Sequence, residues 1–147
     1  MELFELEDMI AQIQRENAEL RKANKETRKN SKDILDDVFR DFLKVVDTYD
    51  ATISDINSHS LGKNPDVMTA LASMDDVRRR MLSLLKKNGV EKITFPDGKP
   101  KAGFCAVTSE EIDPTRENGD IVSIERDGYT RDGQLLRRAE IVVVKNK

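Results

Sequence analysis

Seam positions recur in alternating steps of three and four from Leu3 to Val38. One set is Leu3, Ile10, Asn17, Asn24, Ser31 and Val38; the other is Leu6, Ile13, Leu20, Thr27 and Ile34. This is a heptad repeat, with the two sets at the a and d positions of a coiled coil. Asn17 and Asn24 fall at a, where a buried amide fixes register and favours two strands at some cost in stability. No Gly or Pro interrupts the chain before Gly62, so one helix can run about 80–90 Å at 1.5 Å per residue. The pattern predicts a parallel homodimer with Leu6, Ile10, Ile13, Asn17, Leu20 and Asn24 in its seam. The alternative is one amphipathic helix packed on its own domain, but a monomer of this size has no use for such a rod.

After Val38 the stripe shifts phase to Phe39, Phe42, Val46, Tyr49, Ile53 and Ile56, with Leu35, Leu43 and Val45 widening it. A wider stripe packs against more than one neighbour, as in a bundle. Between the two stripes, Arg21–Lys32 offers only Asn24, Thr27 and Ser31 near its seam, which makes it the weakest part of the rod. Ser58–Asn64 reads as a loop. Asn64-Pro65-Asp66 then opens a second helix with an N-cap, a proline at N1 and an acid against the dipole. Val67, Leu71, Met74, Met81 and Leu85 carry that helix for about 23 residues to Lys86, Lys87 and a C′ glycine, Gly89. Two copies would form a four-helix bundle, adding Phe42, Val46, Leu71, Met74 and Met81 to the dimer interface.

From Gly89 the period falls to two. Strands are expected over Val90–Phe95, Phe104–Val107, Ile121–Ile124 and Leu135–Val144. Asp127-Gly128 and Asp132-Gly133 serve as turns, and the last segments form a hairpin. The expected fold is α+β: a long coiled-coil and bundle helix over 1–57, a loop and second bundle helix over 58–88, and a small all-β domain over 89–147.

Composition narrows the functions. The 147 residues are 36% charged and lack Trp, which suits an elongated chain with a small globular part. The net charge of −3 argues against nucleic acid, and Arg78-Arg79-Arg80 with Lys86 and Lys87 reads as a solvated helix face. No apolar run reaches membrane length and no signal peptide is read, so no membrane partner is expected. The single cysteine, Cys105, fits a reducing compartment: the cytoplasm, or the mitochondrial matrix or another organelle if a targeting segment was removed. One Cys and one His make neither a zinc set nor a nucleophile pair, and no phosphate-binding glycine motif occurs. Glu110-Glu111 with Asp113, before Pro114, reads as a solvated loop. Neither enzyme activity nor a cofactor is expected.

The last hairpin, Gly128-Tyr129-Thr130-Arg131-Asp132-Gly133-Gln134-Leu135-Leu136-Arg137-Arg138-Ala139-Glu140-Ile141-Val142-Val143, resembles the C-terminal signature of the GrpE nucleotide-exchange factors. That signature is a G-Y stretch followed by R-x-L-R-P-A-x-V-x-V. Met81-Leu82 through Leu85, then Gly89-Val90-Glu91 and Ile93, is similar to the family's M-x-x-x-L-x-x-x-G-V-x-x-I. The order of elements is also the family's. Where the family has F-D-P-x-x-H-x-A-V, Pro100–Val107 lacks the Asp-Pro and places Phe104 near the expected His. Gln134 replaces a frequent basic residue and Arg138 a proline.

The resemblance implies binding to the ATPase domain of a DnaK-type chaperone and faster ADP release, with Gly128, Tyr129, Gln134, Arg137 and Val143 as contacts. On the residues alone, Tyr129 reads equally as a core aromatic and Arg137 as the partner of a neighbouring acid. A coiled-coil adaptor with a β protein-binding module is the other functional class that fits the pattern.

Overall fold

The computed structural model describes residues 2–59 and 63–147. Among the described residues two helices, α1 (Leu3–Ser58) and α2 (Pro65–Lys87), precede six strands. These are β1 (Val90–Lys92), β2 (Cys105–Glu111), β3 (Ile121–Arg126), β4 (Tyr129–Arg131), β5 (Gln134–Arg137) and β6 (Ala139–Val144). The expected α+β class holds. Part of the expected loop, Ser60–Gly62, lies outside the described residues.

The chain divides into two compact units, one ending at Val38 and the other spanning Phe39–Lys147. The division falls where the apolar stripe of α1 changes phase. In the first unit every seam leucine and isoleucine is exposed, Leu20 at 68%. Asn17 bonds back to the Ile13 carbonyl at 3.0 Å.

In the second unit, α2 starts as its sequence dictates. The Asn64 side chain accepts from the Asp66 amide at 2.9 Å, and proline follows the cap. The helix stops at Asn88 and Gly89, the latter at φ +77, a conformation that favours glycine. A Cβ on Gly89 would stand 2.1 Å from the Asp132 carboxylate, and the Asp132 amide donates to the Gly89 carbonyl at 2.9 Å. The helix end therefore abuts the Asp132-Gly133 turn. Leu43 and Val46 of α1, Leu85 of α2, and Val90, Tyr129 and Leu136 make one core, flanked by Phe39, Phe42, Met81 and Leu82. Arg78 grips Asp50 through two bonds of 2.6 and 3.2 Å, and the Tyr49 hydroxyl donates to the Met74 carbonyl, tying α2 to α1.

The strands form two three-stranded sheets, ordered β1-β4-β5 and β2-β6-β3. The expected Leu135–Val144 strand is in fact two, β5 and β6, which belong to different sheets. The apolar run serves two cores: Leu136 enters the helix-facing core, whereas Ala139, Ile141 and Val143 pack with Phe95, Cys105 and Ile121. The buried set changes parity at the corner, from Leu136 to Ala139, Ile141 and Val143, but apolar Leu135 beside Leu136 hides that change in the sequence. β2 runs on to Glu111 because its backbone pairs in parallel with β6, although its polar residues face solvent. β1 stops at Lys92; the Ile93 amide still donates to Gly128 at 2.8 Å, and Phe95 turns to the second core.

Candidate functional site

Among the described residues the chain crosses between the two sheets at β1 to β2, at β3 to β4 through Asp127-Gly128 and at β5 to β6 through Arg138, and the last two crossings meet beside α1. Gly128 makes the crossing possible: a Cβ there would lie 2.4 Å from the Ala139 amide nitrogen. Each of these last two crossings is preceded by an arginine, Arg126 at the end of β3 and Arg137 at the end of β5.

Both arginines reach one carboxylate, Asp47 on α1. Arg137 Nη1 and Nη2 donate to the two Asp47 oxygens at 2.7 and 2.9 Å, the bidentate fork that gives a charged pair its direction. Arg137 also donates from Nε and Nη2 to the Asp127 carbonyl at 3.1 and 2.8 Å, and its guanidinium lies 5.5 Å from the Tyr129 ring centroid. Arg126 Nε adds a 3.1 Å bond to Asp47, and its Nη1 reaches Glu140 on β6 at 3.4 Å. Burial alone would raise the Asp47 pKa; the hydrogen bonds and charges of Arg137 and Arg126 outweigh it and hold the carboxyl below its ordinary value. Tyr129 sits beneath, its pKa pushed up to about 12 by burial first and by Asp127 next. Further along α1, Arg40 donates to the Leu136 carbonyl at 3.0 Å, and Phe39 packs under the Arg131 guanidinium at 5.1 Å.

Of the five residues expected to contact a partner, Gln134 alone is well exposed. Gly128 and Tyr129 are buried, Val143 packs in the second core, and the Arg137 side chain is 12% exposed. The structure thus brings Arg137 and Tyr129 together as parts of an internal junction, the second of the two roles their residues allowed. Sequence reasoning missed Asp47, an acid beside the apolar stripe like several others on this helix. It also missed Val107 and Ile124, which flank buried Ile141 in one rung of the second sheet yet remain exposed. Alternation on an edge strand is their only sequence signal.

Among the expected interface residues, Leu6, Ile10, Ile13 and Leu20 lie open, as do Asn17 and Asn24. Phe42, Leu71, Met74 and Met81 are half-buried. Val46 requires correction. It is 1% exposed inside its own core, because the face of α1 that carries Leu43 and Val46 is covered by α2 and the first sheet. The open face instead carries Val45, Thr48 and Thr52, which with Lys44, Tyr49 and Met74 line a shallow groove of about 410 Å³. Among the described residues no group of His, Cys, Asp and Glu could hold a metal ion, and no helix is long and apolar enough to cross a membrane.

The GrpE family model matches residues 2–145. The chain belongs to the GrpE family. It is 24% identical over 146 residues to a mitochondrial GrpE protein homolog of Debaryomyces hansenii, covering 99% of this chain and 60% of that one. It is 27% identical over 123 residues to protein GrpE of Methanosarcina barkeri, covering 80% of this chain and 54% of that one. The chain therefore spans little more than half the length of these relatives. The family match takes in both helices and both sheets, so the junction around Asp47 lies wholly within the family's part of the chain.

Proposed function

We propose that the protein is a nucleotide-exchange factor that binds the ATPase domain of a DnaK-type chaperone and accelerates ADP release. The observation that carries this reading is the family match over residues 2–145, which includes the C-terminal hairpin. The mechanism needs no chemistry of the protein's own. A partner that prefers the open nucleotide cleft weakens ADP binding by the same factor by which ADP weakens the partner. The β unit meets the chaperone through its exposed positions: Gln134 on β5, with Val107 and Ile124 on the second sheet. Gly128, Tyr129, Arg137 and Val143 act by shaping the surface that carries these residues.

The working form is a parallel homodimer. Uncovered Leu6, Ile10, Ile13 and Leu20 support the seam, and the open Val45, Thr48 and Met74 groove supports the bundle. The reading places the protein in the cytoplasm or an organelle matrix, where such chaperones work. The test is to load a DnaK-type chaperone with fluorescent ADP, add the protein and time nucleotide release. Acceleration that saturates with concentration is expected. Binding without acceleration would favour the adaptor reading, and neither effect would end the proposal.

A further inference from the structure

We propose that Asp47 is a positioning residue: this one helix carboxylate fixes the angle at which both sheets stand on α1, through Arg137 from the first and Arg126 from the second. Four observations converge on it. Arg126 and Arg137 are the last residues of β3 and β5, so two of the three chain crossings between the sheets are anchored at the same carboxylate. Arg137 holds Asp47 bidentately while gripping the Asp127 carbonyl inside the other crossing, which couples the two. Gly128 lets the crossings touch, at a spacing that admits no side chain. Glu140 on β6 closes the set by receiving the second arm of Arg126.

The apolar core beneath, Leu43 and Val46 against Tyr129 and Leu136, supplies attraction without direction. A forked ion pair supplies direction. The core therefore keeps the β unit attached to the helix, and the Asp47 junction holds it at one angle. For an exchange factor, the angle decides whether Gln134 and the second sheet reach a partner together. That functional consequence rests on the reading above; the geometric claim does not.

Asp47→Asn preserves side-chain volume and removes the charge. Spin labels at exposed Ser54 on α1 and exposed Ser109 on β2, in a Cys105→Ser background with labelled chains diluted into unlabelled ones, report the angle in the free protein. The wild type should give one narrow distance distribution. Asp47→Asn should broaden it while the melting curve keeps a cooperative transition, and Asp47→Glu should restore most of the narrowness. In the fluorescent-ADP assay, Asp47→Asn should need about tenfold more protein for half-maximal release, with the maximal rate retained. Arg126→Gln removes one arm only and should give an intermediate broadening, which decides the matter if Asp47→Asn does not fold.

An unchanged distribution in the folded variants overturns the positioning role. Broadening without loss of exchange potency overturns its functional part. If the wild type fails to release ADP, the exchange reading falls, and the label distances still decide the role of Asp47.

Discussion

Leu20 and Leu43 occupy one helix, both on apolar stripes of three-four spacing, yet Leu20 is 68% exposed and Leu43 is fully buried. The unit ending at Val38 has the periodicity of a packed helix, yet every seam leucine and isoleucine in it is exposed. The unit from Phe39 onward carries the same periodicity on a wider stripe, and α2 and the first sheet cover it. Periodicity therefore reports that a helix face needs a cover. It does not report whether the cover comes from the same chain.

The sharpest way to break this comparison is to truncate one residue in each unit. Leu43→Ala should cost the second unit about 2–5 kcal/mol, the usual result of emptying a closed core. Leu20→Ala should leave that transition in place and weaken only self-association, as read by urea unfolding and sedimentation equilibrium. Equal effects on the second transition would merge the two units into one.

A second test asks whether the units melt apart. The seam from Arg21 to Lys32 buries little apolar area even when paired, so the first unit should melt before the β unit, and reversibly. Replacing Asn24, Thr27 and Ser31 with Leu should raise the first transition by several degrees and leave the second unmoved, as followed by calorimetry. One cooperative transition, indifferent to those changes, would contradict the division at Val38.

Titration separates the units by chemistry. Unfolded tyrosine ionises near 10.0 and buried Tyr129 at about 12, so between those values the folded state keeps a proton that the unfolded chain releases. Stability of the second unit should therefore fall as pH rises through this window, and Tyr129→Phe should remove that component. The ion pairs of Asp47 act at the other end. Its folded pKa lies below the ordinary 3.8, so its contribution is present above 3.8 and disappears as pH falls through the lower folded value. Asp47→Asn should flatten that acid limb. Chemical unfolding of the second unit across pH checks both.

The smallest effect belongs to the seam amides. Asn17→Val with Asn24→Val should raise helix stability modestly and loosen the oligomer state, as measured by sedimentation equilibrium. A variant that remained strictly dimeric would assign register to the apolar seam positions instead.

Local signals determined the elements. Heptad spacing, the Asn64-Pro65 cap, Gly89 and the Asp132-Gly133 turn each act within a few residues, and they placed both helices and the hairpin turn correctly. The order of elements and the hairpin motif were enough to indicate the family. What only the tertiary structure decided is where one run of side chains leaves one core for another. Leu136 and Ala139 lie three positions apart on opposite parities, and apolar Leu135 beside Leu136 masks the corner between them in the sequence. Val46 was legible as buried, but not as buried within its own chain. Asp47, Arg126 and Arg137 are separated by up to 90 positions, and each alone resembles a surface charge. Their meeting depends on two strand crossings converging at one turn of α1, and no spacing along the chain encodes that convergence.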